Sequence, residues 1–327
     1  MRIIFDLRRT GLGNNGGSQT LVKSANVLQE LGHEVFMVDS GRSMYTWDPI
    51  EVTHMIVNKI NKLPKSDVII ATGYNSVEAT LQAPKECGRK YHWVRAFETW
   101  RGSEEWILKN ILNVPTKKLV NSIGLQNKLK SYNISSEVVY PGYDFGDIYL
   151  MKRPKTDYIV LGGLYHNKHY TIKRVEWLFK TYEELKKYRK NIKLFLMGYN
   201  NIKHKCDKYI QNPSKEQKNS FYNSIDIWLS TSMQEGLHIP PAEALMAGCS
   251  VVTTSAELSG TKDYIINGET GVVTDNCLES FINGVNSLCD NKSIRLQLAK
   301  NGMKKIQEIG DRKKNMKNLV SILEKVL

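Results

Sequence analysis

Two hydrophobic periods alternate along this chain. Residues 2–7 are short, apolar and rich in β-branched side chains, which predicts a strand. A stretch carrying Gly11, Gly13, Gly16 and Gly17 follows. Beyond it Leu21, Ala25, Leu28 and Leu31 fall at helical spacing, with Ser18 as the expected N-cap and Gly32 as the stop. Residues 34–38 read as the next strand. Strand, loop, helix, strand is a crossover unit, and it predicts parallel pairing.

The rhythm continues with short apolar strands at 67–71, 92–94, 118–121 and 137–140, then a turn-rich break at 141–146. A second series opens at 158–161. There the pair Gly162-Gly163 and a polar loop lead into a helix over 173–188. Strands are expected at 193–197, 225–229 and 250–253, with a helix at 241–247 closed by Gly248 and a short extended piece at 271–273. The C-terminal residues, about 40 of them, read as helical, with Leu296, Leu298, Met303 and Ile306 on one side. The pattern predicts two α/β domains, 1–148 and 149–327, with the last helix free to pack back on the first.

Size supports two domains: 327 residues exceed one ordinary domain of roughly 100–200 residues. The 41% apolar and 24% charged composition is that of a soluble globular protein and argues against long disorder. No apolar run reaches about 18 residues, so no transmembrane helix is expected. The N-terminal apolar stretch is short and broken by Asp6, unlike a signal peptide, so a cytoplasmic protein is expected. The five cysteines are odd in number and lack CxxC spacing, which predicts buried free thiols rather than disulfides or a structural zinc.

Charge sharpens the picture. The net +13 is unevenly spread: residues 1–150 hold 18 basic and 15 acidic side chains, residues 151–327 hold 28 and 18. A positive second half draws phosphates, nucleic acid or an anionic membrane surface, although a solubilising lysine-rich surface has the same composition. The basic run from Lys186 to Lys190 suits a helix C-terminus.

Two segments carry candidate chemistry. The glycine loop before the first helix lets backbone approach a phosphate at a helix N-terminus. A ligand-free tight turn uses the same glycines, and the spacing matches neither a dinucleotide fingerprint nor a P-loop. The second segment runs from Glu235 through Gly236, Leu237, His238, Ile239, Pro240 and Pro241 to Glu243 and Gly248. The prolines fit a first helical turn, which places Glu243 in that turn. Two carboxylates then offer acceptors to vicinal hydroxyls, and the amides of Gly236, Leu237 and His238 offer donors to a phosphate or sugar oxygen.

Glu-x7-Glu followed by Ala-Leu-x-x-Gly-x-x-Val-Val resembles the retaining GT-B glycosyltransferases of family GT4, the group 1 glycosyltransferases. Gly16-Gly17, the segment Tyr140 to Asp144, Phe195 to Gly198, and Asn267 to Val273 are similar to further family segments in the family's order. The resemblance implies two Rossmann-like domains facing across a cleft, an N-terminal acceptor domain and a C-terminal nucleotide-sugar domain. It assigns Glu235 to the donor sugar, Glu243 to the ribose hydroxyls, and the backbone after Glu235 to the sugar site. A lysine on the diphosphate corresponds to Lys168 by spacing or to Lys173 by its place at the helix start. The family's arginine position is occupied by Gly163, with Arg174 as a candidate replacement. Arg95 and Glu98, in the loop after 92–94, are candidates for the acceptor or sugar loop, because loops at strand C-termini line α/β sites. His92 reads as a packed core residue.

The resemblance implies transfer from a nucleotide-sugar such as a UDP-sugar to a glycan or lipid-linked acceptor, with retention and without metal or other cofactor. It fits a cytoplasmic protein, peripheral at an anionic inner membrane face. Three other readings stay open: a nucleic-acid-modifying GT-B glucosyltransferase, a nicotinamide-dependent oxidoreductase, and a non-catalytic sugar- or nucleotide-binding protein.

Overall fold

In the computed structural model, residues 1–325 are described except 58, 60, 61, 101, 154, 155, 168 and 169. The chain divides into two compact units, Met1–Gly142 with Asp311–Leu327, and Tyr143–Gly310.

The first unit is built on a seven-stranded sheet of β1 (Arg2–Asp6), β2 (Glu34–Asp39), β3 (Thr53–Ile56), β4 (Val68–Ala71), β5 (Arg89–Val94), β6 (Lys117–Val120) and β7 (Ser136–Val138). The order is β3-β2-β1-β4-β5-β6-β7 and every pairing is parallel. Helices α1 (Gly16–Glu30), α2 (Tyr74–Leu81), α3 (Glu104–Ile107) and α4 (Ile123–Lys130) connect the strands. Leu21, Val22, Ala25 and Leu28 of α1 join Ile3, Phe5, Val35 and Val68 in the core.

The second unit repeats the plan with six parallel strands. These are β8 (Ile159–Tyr165), β9 (Ile192–Gly198), β10 (Lys208–Gln211), β11 (Ile227–Leu229), β12 (Ser250–Thr254) and β13 (Val272–Thr274), in the order β10-β9-β8-β11-β12-β13. Its helices are α5 (Tyr170–Lys173), α6 (Val175–Lys186), α7 (Lys215–Asn223), α8 (Ile239–Met246), α9 (Leu278–Asp290) and α10 (Lys292–Ile309). The last helix, α11 (Arg312–Glu324), belongs to the first unit: Met316, Leu319 and Leu323 sit in its core, and Arg312 donates to the Pro141 carbonyl at 3.1 Å.

Each strand order reverses once, between β1 and β4 and between β8 and β11. In open α/β sheets, ligands bind beyond the strand C-termini at such reversals.

Several local expectations are corrected. Asn15, not Ser18, caps α1: its carboxamide accepts the Ser18 N–H at 2.9 Å, while the Ser18 hydroxyl accepts from Gly13 at 3.0 Å. The helix expected over 173–188 is two helices, α5 and α6, broken at Arg174, whose φ of +47° lies in the left-handed region. The strand expected to end at 161 runs on to Tyr165, so Gly162 and Gly163 are strand residues of β8. A Cβ at Gly162 would lie 2.6 Å from Ile225, and one at Gly163 would lie 2.8 Å from Leu178. These glycines make room for neighbouring core side chains on opposite faces of the strand. Cys277 is exposed and Cys206 half-buried, whereas Cys87, Cys249 and Cys289 are buried free thiols. No helix among the described residues is long and apolar enough to cross a membrane.

Candidate functional site

In the second unit the C-terminal ends of β8 and β11 bring together two residues 62 positions apart. Lys173 Nζ donates to Glu235 Oε1. The backbone explains why they meet. Thr231 Oγ1 donates to the Lys173 carbonyl at 2.7 Å, and the Met233 amide donates to the Ile172 carbonyl at 2.9 Å. The short α5 is thereby laced to the segment leaving β11. Lys168 lies outside the described residues.

Glu235 is also fixed from the other side. Its amide donates to the Leu258 carbonyl at 2.7 Å, and the His238 amide donates to the Gly260 carbonyl at 3.0 Å. Gly260 has a φ of +73°, and a Cβ there would lie 2.6 Å from Glu235 Cβ, so only glycine fits this approach. The His238 amide is therefore spent inside the protein, a correction to its expected role as a ligand donor. The amides of Gly236 and Leu237 pair with nothing among the described residues.

Burial alone would raise the Glu235 pKa. The charge of Lys173, then that of His238, and hydrogen bonds from Lys173 and Ser232 outweigh it and hold the carboxyl down at about 2. The His238 ring lies between Ser230 Oγ, 3.2 Å from Nδ1, and Glu235 Oε1, 3.5 Å from Nε2. Burial depresses its pKa to about 4, with Lys173 and His166 adding to the effect and Glu235 opposing it, so the imidazole is neutral at pH 7. Tyr264 Oη donates to the His238 carbonyl. The helix start that follows, at Ile239, is thus held rigidly.

Glu243 lies in the second turn of α8, not the first, because the helix begins at Ile239, two residues earlier than the expected 241. Its oxygens have separate partners: Lys218 donates to Oε1 at 2.5 Å and Tyr222 to Oε2 at 2.7 Å. Gly198 ends β9, where a Cβ would lie 2.4 Å from the Tyr165 carbonyl oxygen. The next residue, Tyr199, has its pKa pushed up to about 12, chiefly by burial and then by the charge of Glu243. Arg174 donates to Asn276 Oδ1 at 2.7 Å and lies over the Trp177 ring at 4.3 Å, tying α6 to the loop after β13. Gly163 is corrected as a ligand-contacting position: it is buried against Leu178 and Leu196 in mid-strand.

In the first unit, Gly17, Arg95 and Glu98 gather where β1, β4 and β5 end. Arg95 donates to the Gly17 carbonyl and, at 2.6 Å, to the Thr72 carbonyl. Burial lowers its pKa to about 10, opposed by Glu98. The Glu98 amide donates to Tyr74 Oη at 3.1 Å, and Gly16 faces open space. A partly buried guanidinium beside the N-terminal turn of α1 concentrates positive potential there. His92 is fully buried on β5, edge-on to Tyr74 at 5.8 Å, and neither ring nitrogen has a hydrogen-bond partner among the described residues. No group of three or more His, Cys, Asp or Glu side chains among the described residues is placed to hold a metal ion.

The signal for Lys218, Tyr222 and Gly260 is weak in sequence. Lys218 and Tyr222 stand at i, i+4 spacing on an otherwise unremarked helix, and Gly260 follows a serine in an apparent turn.

Residues 164–305, which carry Lys173, Lys218, Glu235 and Glu243, match the family described as glycosyl transferases group 1. The matched segment lies wholly within the second unit. The whole chain is similar in structure to glycosyltransferases of GT-B fold. HepE of Anabaena, solved with UDP-glucose, aligns with a TM-score of 0.80 at 12% identity, over 99% of this chain and 100% of that one. Sucrose-phosphate synthase of Thermosynechococcus elongatus aligns with a TM-score of 0.77 at 13% identity, over 100% and 99%. WaaG, a glycosyltransferase of lipopolysaccharide biosynthesis, aligns with a TM-score of 0.71 at 14% identity, over 98% and 99%. At such identities the likeness establishes the fold, two Rossmann-like parallel-sheet domains of the GT-B type. No curated protein sequence matches the chain significantly.

Proposed function

We propose that the protein transfers a sugar from a nucleoside-diphosphate donor to a hydroxyl of a glycan or lipid-linked acceptor, with retention and without a metal. The observation that carries this reading is the Lys173–Glu235 pair at the β8/β11 reversal, inside the matched family segment.

Departure of a nucleoside diphosphate builds negative charge on the leaving oxygen, and a fixed cation there lowers the barrier. Lys173 has three ammonium donors and gives one to Glu235. The others face the diphosphate. Glu235, ionised at every working pH, accepts hydroxyls of the donor sugar, with the Gly236 and Leu237 amides beside it. Glu243 accepts the ribose hydroxyls. Arg174 serves as a packing residue of α6, so Lys173 carries the leaving-group role in place of the arginine that Gly163 lacks. A UDP-sugar is the donor class favoured by the neighbours, since HepE was solved with UDP-glucose.

A thermal-shift panel of UDP-, GDP-, ADP- and dTDP-sugars tests the reading. A donor at 100 times its Kd stabilises the fold by about 2.7 kcal/mol. Failure of all four to shift the transition rejects it.

A further inference from the structure

Glu243 is gripped at both carboxylate oxygens by one helix face. Lys218 and Tyr222 are four residues apart on α7, hence one turn apart on the same side, and each reaches a different oxygen, at 2.5 and 2.7 Å. Tyr222 is fully buried, with its ring 5.2 Å from that of Trp228, so the grip has little freedom. The carboxylate is therefore fixed in orientation and offset in charge, yet a carboxylate has about four acceptor positions and two of them remain. Two acceptor positions on an immobile carboxylate match two adjacent hydroxyls. The Lys218 and Glu243 side chains keep 25% and 13% exposure, so the group is not sealed inside the protein.

We propose that Lys218 and Tyr222 are positioning residues for ribose: they aim Glu243 so that its remaining acceptor positions take the 2′ and 3′ hydroxyls of a ribonucleoside diphosphate, and they thereby set the preference for ribonucleotides over 2′-deoxyribonucleotides. This inference rests on the reading of the second unit as the donor site. The phenol acts only as a donor, because burial first, and then the charge of Glu243, raise its pKa well above the ordinary tyrosine range. Removing either grip lets the carboxylate rotate. The 2′-deoxy analogue has already lost one of the two hydrogen bonds, so its affinity is an internal control for damage of any other kind.

The test is calorimetric titration of UDP, GDP and ADP, each beside its 2′-deoxy analogue, into the full chain and its Lys218→Met, Tyr222→Phe and Lys218→Arg variants. The wild type is expected to prefer the ribonucleotide by about tenfold, the size of one charge-assisted hydrogen bond. In Lys218→Met and Tyr222→Phe that preference falls toward unity, because the ribonucleotide loses two hydrogen bonds to Glu243 and its deoxy analogue, which weakens less, loses one. Lys218→Arg keeps the preference. Lys218 is partly exposed, so its variants test the point even where Tyr222→Phe fails to fold. An unchanged ratio, or equal weakening of both nucleotides, overturns the inference alone. A wild type that binds none of the nucleotides overturns both the inference and the donor-site reading.

Discussion

Lys173 and Glu235 form an ion pair across the point where the second sheet reverses its strand order, one leaving β8 and the other leaving β11. Each side chain stabilises the charge of the other. Replacing Lys173 by alanine leaves the Glu235 carboxylate partly buried and unpaired. If Lys173 also offsets leaving-group charge, Lys173→Ala lowers kcat by about 100-fold or more, on the scale of removing one transition-state donor. Steady-state kinetics with the donor found by the thermal panel reads this directly. A kcat within a few-fold of wild type rejects the leaving-group role.

Gly260 and Gly268 form a matched pair. Both have φ near +75°, but a Cβ at Gly260 meets Glu235 and His238, while one at Gly268 meets nothing within 4 Å. Gly268→Ala pays only the left-handed penalty, about 1–2 kcal/mol. Gly260→Ala is expected to lose more stability and to raise the donor KM by displacing Glu235. Chemical denaturation of the two variants side by side checks the ranking, and equal losses would contradict it.

The resemblance to the family aligns Gly163 with an arginine, and placing an arginine there should fail. The position is mid-strand, with Leu178 at 2.8 Å from a built Cβ. Overpacking of even a few carbons costs roughly 1–3 kcal/mol, and a buried unpaired guanidinium adds more. Gly163→Arg is expected to be insoluble or strongly destabilised. A well-folded Gly163→Arg protein with raised activity would show that the strand reading is wrong.

Two histidines set the acid side of the stability profile. Burial, helped by Lys118 and Arg95, lowers the His92 pKa to about 3, and His238 falls to about 4. Both folded values lie below the ordinary 6.5. Above that pH both states are neutral and these groups add no pH dependence. Below it the unfolded chain binds protons that the folded chain excludes. Stability therefore drops as pH falls from 6.5 toward 4, by about 1.4 kcal/mol per pH unit per histidine. Because the His92 nitrogens have no partner among the described residues, His92→Leu removes a desolvation cost and should flatten the profile. Urea midpoints at pH 7 and pH 5 test this. A His92→Leu slope equal to that of wild type contradicts it.

The alternation of periods was enough to place the parallel strands of both units other than β3 and β10, and Glu235 to Glu243 was legible as a candidate site because glycine, paired prolines and a closing Gly248 mark one short segment. What escaped the sequence has physical reasons. Gly162-Gly163 reads as lying beyond a strand that stops at 161, but here the pair continues β8 and admits Ile225 and Leu178 from other elements. Strands β3 and β10 lie at sheet edges, where exposure removes the apolar run that betrays a buried strand. Arg174 breaks a helix whose periodicity runs straight through it. Lys218 and Tyr222 act on a residue more than 20 positions away, a contact that only the packing of α7 on α8 creates.

The central claim is that Glu235 and Glu243 frame a nucleotide-sugar site. Calorimetric titration of UDP, GDP, ADP and dTDP into the wild type and Glu243→Ala tests it most directly. One nucleotide should bind the wild type, and Glu243→Ala should weaken it by at least about tenfold, as expected for lost hydrogen bonds to a charged group. Binding of equal strength to both proteins, or no binding to the folded wild type, would contradict the account.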